Sequence, residues 1–207
     1  MMSRVVGSSV LALSVFAALS FGCEPAKSAP PAVAKPAIDP KGPREVAILA
    51  GGCFWGMEKV MREAPGVVSI EVGYAGGKST SVSYEDVSSG DTGHAESVRI
   101  VFDPNQISYT DLLTHWYFRG HDPTTLNRQN NDVGTQYRSE IFATSDTQRR
   151  AAEEVKARVD KSGKWKRPIV TAIEPATTWV RAEDYHQDYL VKHPDGYNDH
   201  WLRDFDF

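Results

Sequence analysis

Two glycines separate a short apolar run from a helical repeat, and a cysteine follows them directly. Residues Glu45 to Ala50 (EVAILA) suit a buried strand, and Gly51-Gly52 turn the chain. Phe54, Met57, Val60 and Met61 then recur at helical spacing until Pro65-Gly66 ends the helix. Cys53 therefore sits where a helix begins. A helix start carries partial positive charge and unpaired N–H groups, so the sequence predicts a nucleophilic thiol with a depressed pKa. Phe54 and Trp55 beside it offer an aromatic wall for a small apolar, thioether-like group. The competing reading is a cysteine packed as a small hydrophobe, with Phe54 and Trp55 in the core. The glycines do not match the G-x-G-x-x-G dinucleotide fingerprint.

Strands and helices alternate beyond this point. Val67 to Val72 reads as a strand, followed by a glycine-rich turn at Tyr74-Ala75-Gly76-Gly77. Val98, Ile100 and Phe102 alternate on one face of a half-buried strand. Ser108 caps a helix carrying Leu112, Leu113, Trp116 and Tyr117 on one face. Arg138 to Ala143 reads as a strand. Ser145 and Gln148 form a capping box for a helix reaching Val159, with Glu154 and Arg158 paired on its exposed side. Ile169 to Ile173 is a further strand, and Ala182 to Leu190 a short helix. The alternation predicts an α/β (α+β) domain with helices packed on a sheet.

Two polar segments could complete a site around Cys53. Glu96, in Thr92-Gly93-His94-Ala95-Glu96, would have a raised pKa in an apolar pocket and could serve as a general acid. Its alternative is a solvated carboxylate at a strand end. In the polar loop from Asn130 to Ser139, Tyr137 is a candidate hydroxyl donor and Asp132 a candidate orienting group; a plain turn is the alternative there. The six histidines show no metal-ligand spacing with cysteine and read mostly as surface or packed residues. No metal site is expected.

The N-terminal part has a different composition. Residues 5 to 22 carry no charge and follow a single arginine, the pattern of a secretory signal. An uncleaved membrane anchor is the rival. Leu19 to Cys23 resembles a bacterial lipoprotein cleavage box, which makes Cys23 a candidate for lipidation. Residues 24 to 43 hold six of the twelve prolines and read as a Pro/Ala-rich linker. The expected organisation is a lipoprotein-type signal over 1–23, the linker over 24–43 and one catalytic domain over 44–207. Export to a bacterial periplasm, or attachment to a membrane by an N-terminal lipid, is the expected location. The net charge of −4 argues against nucleic acid as a partner.

Gly52-Cys53-Phe54-Trp55-Gly56 resembles the signature of the class A peptide methionine sulfoxide reductases. Four more blocks agree in order and spacing: Gly73 to Gly77; Tyr84 with Glu96 twelve residues on; Asp132 with Gly134 to Ser139; and Ala182 to Leu190. The resemblance covers roughly residues 45 to 195. It implies a two-layer sandwich, with a mixed β-sheet covered by helices around a ferredoxin-like core. It implies that Cys53 attacks the sulfur of the S epimer of methionine sulfoxide, in proteins or as the free amino acid. It further implies that Glu96 protonates the departing oxygen, that Tyr84 and Tyr137 hold that oxygen, and that Phe54 and Trp55 enclose the methyl group beside Asp132. Methionine and a Cys53 sulfenic acid would result, which is repair of oxidative damage; reductases of this kind restore one sulfoxide epimer.

The sequence departs from many relatives in having no cysteine after Cys53. The expectation is therefore a single-thiol enzyme with no cofactor, recycled by an external thiol: thioredoxin, glutathione or glutaredoxin, or dithiothreitol; a monomer is expected. Two rival functions are a cysteine hydrolase using His94 or His186 as base, and a non-catalytic binding lipoprotein.

Overall fold

The computed structural model describes residues 39–207. The signal, the Cys23 site and most of the linker lie outside the described residues. Eight strands and six short or medium helices follow in order. They are β1 (Glu45–Gly51), α1 (Phe54–Arg62), β2 (Val67–Ala75), α2 (Tyr84–Ser88), β3 (Ala95–Phe102), α3 (Tyr109–Asp111), α4 (Phe118–Gly120), β4 (Arg128–Gln129), β5 (Asp132–Val133), β6 (Ser139–Ala143), α5 (Asp146–Lys161), β7 (Ala172–Pro175), β8 (Trp179–Arg181) and α6 (Tyr189–Lys192). A π-helix over Leu112–Tyr117 joins α3 to α4.

The main sheet has the order β7-β6-β1-β3-β2-β8. Within it β6-β1-β3-β2 are antiparallel neighbours, with α1 between β1 and β2 and the helical segment 109–120 between β3 and β6. That is the expected ferredoxin-like core. β7 adds parallel to β6 and β8 antiparallel to β2, so the sheet is mixed.

Period-two alternation sorts the strands into two faces. Ala47 and Leu49 of β1, Ile70, Val72 and Tyr74 of β2, and Val98, Ile100 and Phe102 of β3 all enter the large core. There they meet Phe54, Met57 and Met61 of α1 and Ala152, Val155 and Val159 of α5. The opposite face holds a smaller cluster of Ile48, Ala50, Ala75, Ala95 and Phe142. Glu96 shares the register of Val98 and Ile100, so β3 aims it at the helix-covered face. That single strand periodicity places a carboxyl group in the core.

Several local expectations are corrected. Tyr74 and Ala75 continue β2 rather than starting a turn, because β3 and β8 pair with them on both sides. The strand expected at Ile169 to Ile173 begins at Ala172; Ile169 and Val170 donate instead to Asp160 and to the Pro123 carbonyl. Helix is absent from Ala182 to Asp188, where turns carry side chains inward, and begins only at Tyr189. Ser145 does cap α5, but the Gln148 side chain bonds Thr144 and the Val46 carbonyl, so the reciprocal half of the capping box is spent on tertiary contacts. Arg158 likewise reaches the Thr114 hydroxyl rather than Glu154.

Candidate active site

Cys53 is the N-cap of α1 and only 7% exposed. The preceding Gly52 has φ of 98°, a left-handed conformation that glycine adopts without strain. The turn lets the thiol face a cavity of about 100 Å³ lined by Cys53, Phe54, Trp55, Tyr84, Glu96, Asp132, Tyr137 and Tyr197. All seven pocket residues singled out in the sequence thus converge. Tyr197 is the eighth wall, missed because it lies in an aromatic tail without periodicity.

Each side chain is held from a different element. Glu96 is 3% exposed, and its Oε2 accepts the Phe54 N–H at 3.0 Å. One of the unpaired donors of the α1 start is therefore spent on the acid. The Trp55 indole N–H donates to His186 Nδ1 at 3.1 Å, and the ring stacks on Tyr189 at 3.7 Å. Tyr84 opens α2, which Ser83 and Asp86 close with a capping box. The Tyr84 N–H also donates to Glu183 Oε1 at 2.9 Å, while Tyr74 Oη donates to Glu183 Oε2 at 2.8 Å. Asp132 leaves β5, in the β4–β5 ribbon, and Tyr137 closes a 3₁₀ turn over Thr135–Tyr137. Sequence patterns missed the roles of Glu183 and Tyr189 because they depend on contacts 99 or more positions distant.

Burial decides the electrostatics. Desolvation pushes Glu96 up to about 8, helped by Asp132 and Asp199 and opposed by the Phe54 N–H. It remains mostly protonated at neutral pH. Desolvation also pushes the Cys53 thiol up, and Glu96 adds to that. The Trp55 N–H at the helix start opposes the shift without reversing it. The expected low-pKa thiol is thus corrected: water loss outweighs the helix end, and the resting site holds a thiol and a carboxylic acid. Burial likewise raises Tyr84 and Tyr137, so both hydroxyls keep their protons and can donate. It raises Asp132 too, with Asp199 adding repulsion.

No histidine lines the cavity. His94 is buried with Nε2 3.0 Å from the Ser79 carbonyl oxygen, and His186 Nδ1 is taken by Trp55. A hydrolase base for Cys53 is thus missing from the cavity walls. His121 and His200 are packed as well. Among the described residues no cluster of ligating side chains could hold a metal ion.

A buried thiol, a protonated carboxyl group and two tyrosine hydroxyls around a small aromatic cavity form an arrangement suited to thiol chemistry on a compact polar acceptor. Residues 45–205 match the family model described as "Peptide methionine sulfoxide reductase". The chain is 56% identical over 151 residues to a peptide methionine sulfoxide reductase MsrA of Methanothermobacter thermautotrophicus, covering 72% of this chain and 88% of that one. It is 52% identical over 157 residues to that of Mycolicibacterium vanbaalenii, covering 76% and 90%. Among solved structures, reduced Mxr1 of Saccharomyces cerevisiae superposes with a TM-score of 0.74 at 40% identity, over 81% of this chain and 96% of that one. Methionine sulfoxide reductase A of Corynebacterium diphtheriae gives 0.69 at 37%, over 74% and 77%. Mxr1 has also been solved in complex with Trx2; that chain gives 0.53 at 29%, over 81% and 95%. The chain belongs to the peptide methionine sulfoxide reductase family.

Proposed function

We propose that the cavity reduces the S epimer of methionine sulfoxide to methionine at the expense of external thiols. The observation that carries this reading is the meeting of Cys53 with a protonated Glu96 in one small aromatic cavity. The sulfoxide oxygen is a poor leaving group until it is protonated. Glu96 gives it a proton, and Tyr84 and Tyr137 donate hydrogen bonds to it. Cys53 sulfur attacks the sulfoxide sulfur and its thiol proton passes to the Glu96 carboxylate. The S–O bond and the transient bond between the two sulfurs then break as the hydroxyl passes to Cys53, and the products are methionine and a Cys53 sulfenic acid. Protons balance because both groups start neutral, which suits the two raised pKa values. Phe54 and Trp55 enclose the methyl group, with sulfur–aromatic contact.

One external thiol then attacks the sulfenic acid, releasing water and forming a mixed disulfide. A second frees Cys53. A thioredoxin-like protein is the favoured donor, supported by the Mxr1–Trx2 complex; glutathione or a glutaredoxin would serve the same chemistry. We infer further that the leader exports the chain and that Cys23 carries a lipid, placing the domain at a membrane surface as a monomer.

Turnover of the S epimer with dithiothreitol tests the activity, with thioredoxin and glutathione ranked beside it. Wild type is expected to turn over and Cys53→Ser to be inactive. An inactive wild type, or an active Cys53→Ser variant, would overturn the reading.

A further inference from the structure

The chain after Gly196 is fastened to the domain. Arg203 Nη1 donates to the Arg119 carbonyl at 3.0 Å, Arg119 Nε donates to the Arg203 carbonyl at 2.8 Å, and Phe205 meets Trp165 edge-on at 5.5 Å. The first residue of this segment to reach the site is Tyr197. Three positions on, His200 is 3% exposed and fills space that only glycines leave open. A β-carbon on Gly56, in the first turn of α1, would run into the imidazole.

The ring is held through Nε2. Its Nε2–H donates to the Gly51 carbonyl at 2.7 Å, and Gln129 Nε2 donates to the same oxygen at 3.1 Å. Asp199 Oδ1 lies 2.6 Å from Nδ1. Asn198 closes a loop around the residue, accepting the His200 N–H and donating to its carbonyl, both at 3.1 Å. Asn130 Nδ2 donates to the Asp199 carbonyl at 2.8 Å, tying the tail to the ribbon that carries Asp132. One buried oxygen atom, two residues before the nucleophile, thus gathers the ribbon and the tail.

We propose that His200 is a positioning residue for the reaction: by pinning the tail to the Gly51 carbonyl it fixes both the start of α1, where Cys53 stands, and Tyr197 in the cavity wall. The proposal rests on the reductase reading above and adds the C-terminal tail to its machinery. Reacting atoms must meet within a few tenths of an ångström of their productive geometry, so a loosened turn slows the attack even when the thiol remains intact.

The test is single-turnover formation of the Cys53 sulfenic acid at saturating S-epimer substrate without reductant, measured on the full chain with thermal unfolding alongside. His200→Gln keeps a donor within reach of the Gly51 carbonyl; His200→Ala does not. Expected is a loss of roughly 10- to 100-fold in the rate constant for His200→Ala, with His200→Gln returning to within about threefold of wild type. A wild-type rate in His200→Ala, or an equal loss in both variants, would overturn the proposal. If His200→Ala does not fold, His200→Phe, which fills the space but cannot donate to the Gly51 carbonyl, carries the test: a slowed rate supports the proposal and a wild-type rate overturns it. An inactive wild type sinks the reductase reading and this proposal together, whereas an active wild type with an unaffected His200→Ala sinks the proposal alone.

Discussion

Glu96 is shaped by one bond and a great deal of excluded water. Its single backbone donor, the Phe54 N–H, does not offset desolvation, so the carboxyl keeps its proton to about pH 8. The rate of sulfenic acid formation should therefore fall as pH rises through about 8, when the acid is lost. Glu96→Gln should be slow at every pH and lack that limb; a wild-type rate that climbs steadily past that pH would contradict the role. Stability carries the same signature. The folded pKa lies above the unfolded value of 4.5, so the folded state binds the extra proton. Stability is then highest below pH 4.5 as far as this group is concerned and declines as pH rises through about 8. Urea unfolding of wild type and Glu96→Gln across that window should show the decline in the former and its flattening in the latter. Cys53 teaches the complementary lesson. A helix start favours a thiolate, but the same burial that makes the cavity selective raises the thiol, and burial is the larger effect here.

At the scale of elements, the short α2 matters out of proportion to its five residues, because it carries Tyr84 to the cavity. Ser83 accepts the Asp86 N–H and Asp86 accepts the Ser83 N–H, so the helix start is closed locally before Glu183 reaches it from the tail. Ser83→Ala removes one side of this box and should cost about 1 kcal/mol of stability in denaturant unfolding. A loss below the error of that measurement would mean that Glu183 alone holds the helix. α2 was not visible as an element in the sequence, since five residues give no helical period to read. The strands were more legible. β1, β3 and β6 appear with near-correct ends, β3 from its apolar alternation and β1 as a short apolar run buried on both faces. β8 and the turns from Ala182 to Asp188 were missed or misread, because cross-strand pairing with β2 and bonds from Gln187 to Val72 set their backbone rather than local propensity.

For the whole molecule, the cysteine count sets the cycle. The sequence has Cys23 and Cys53 and no cysteine between Cys53 and Phe207, so in the proposed reaction an external thiol resolves the Cys53 sulfenic acid. Intact mass of the protein expressed from its full reading frame in a bacterial host should show a diacylglycerol-modified chain beginning at Cys23, recovered in the membrane fraction. A soluble, unmodified mature protein would end the lipoprotein proposal. Among the described residues no helix is long and apolar enough to cross a membrane. What the sequence determined by itself was the class of architecture, the strand–glycine–helix turn and the seven cavity residues. Those are matters of periodicity, glycine placement and motif, all local in the chain. Only the tertiary structure decided the protonation state of Cys53 and Glu96, the joining of Tyr197 to the wall, and the convergence of Gln129 and His200 on the Gly51 carbonyl. Desolvation depends on everything packed around a group, and contacts between positions 51, 129 and 200 exist only once the sheet, the ribbon and the tail have come together.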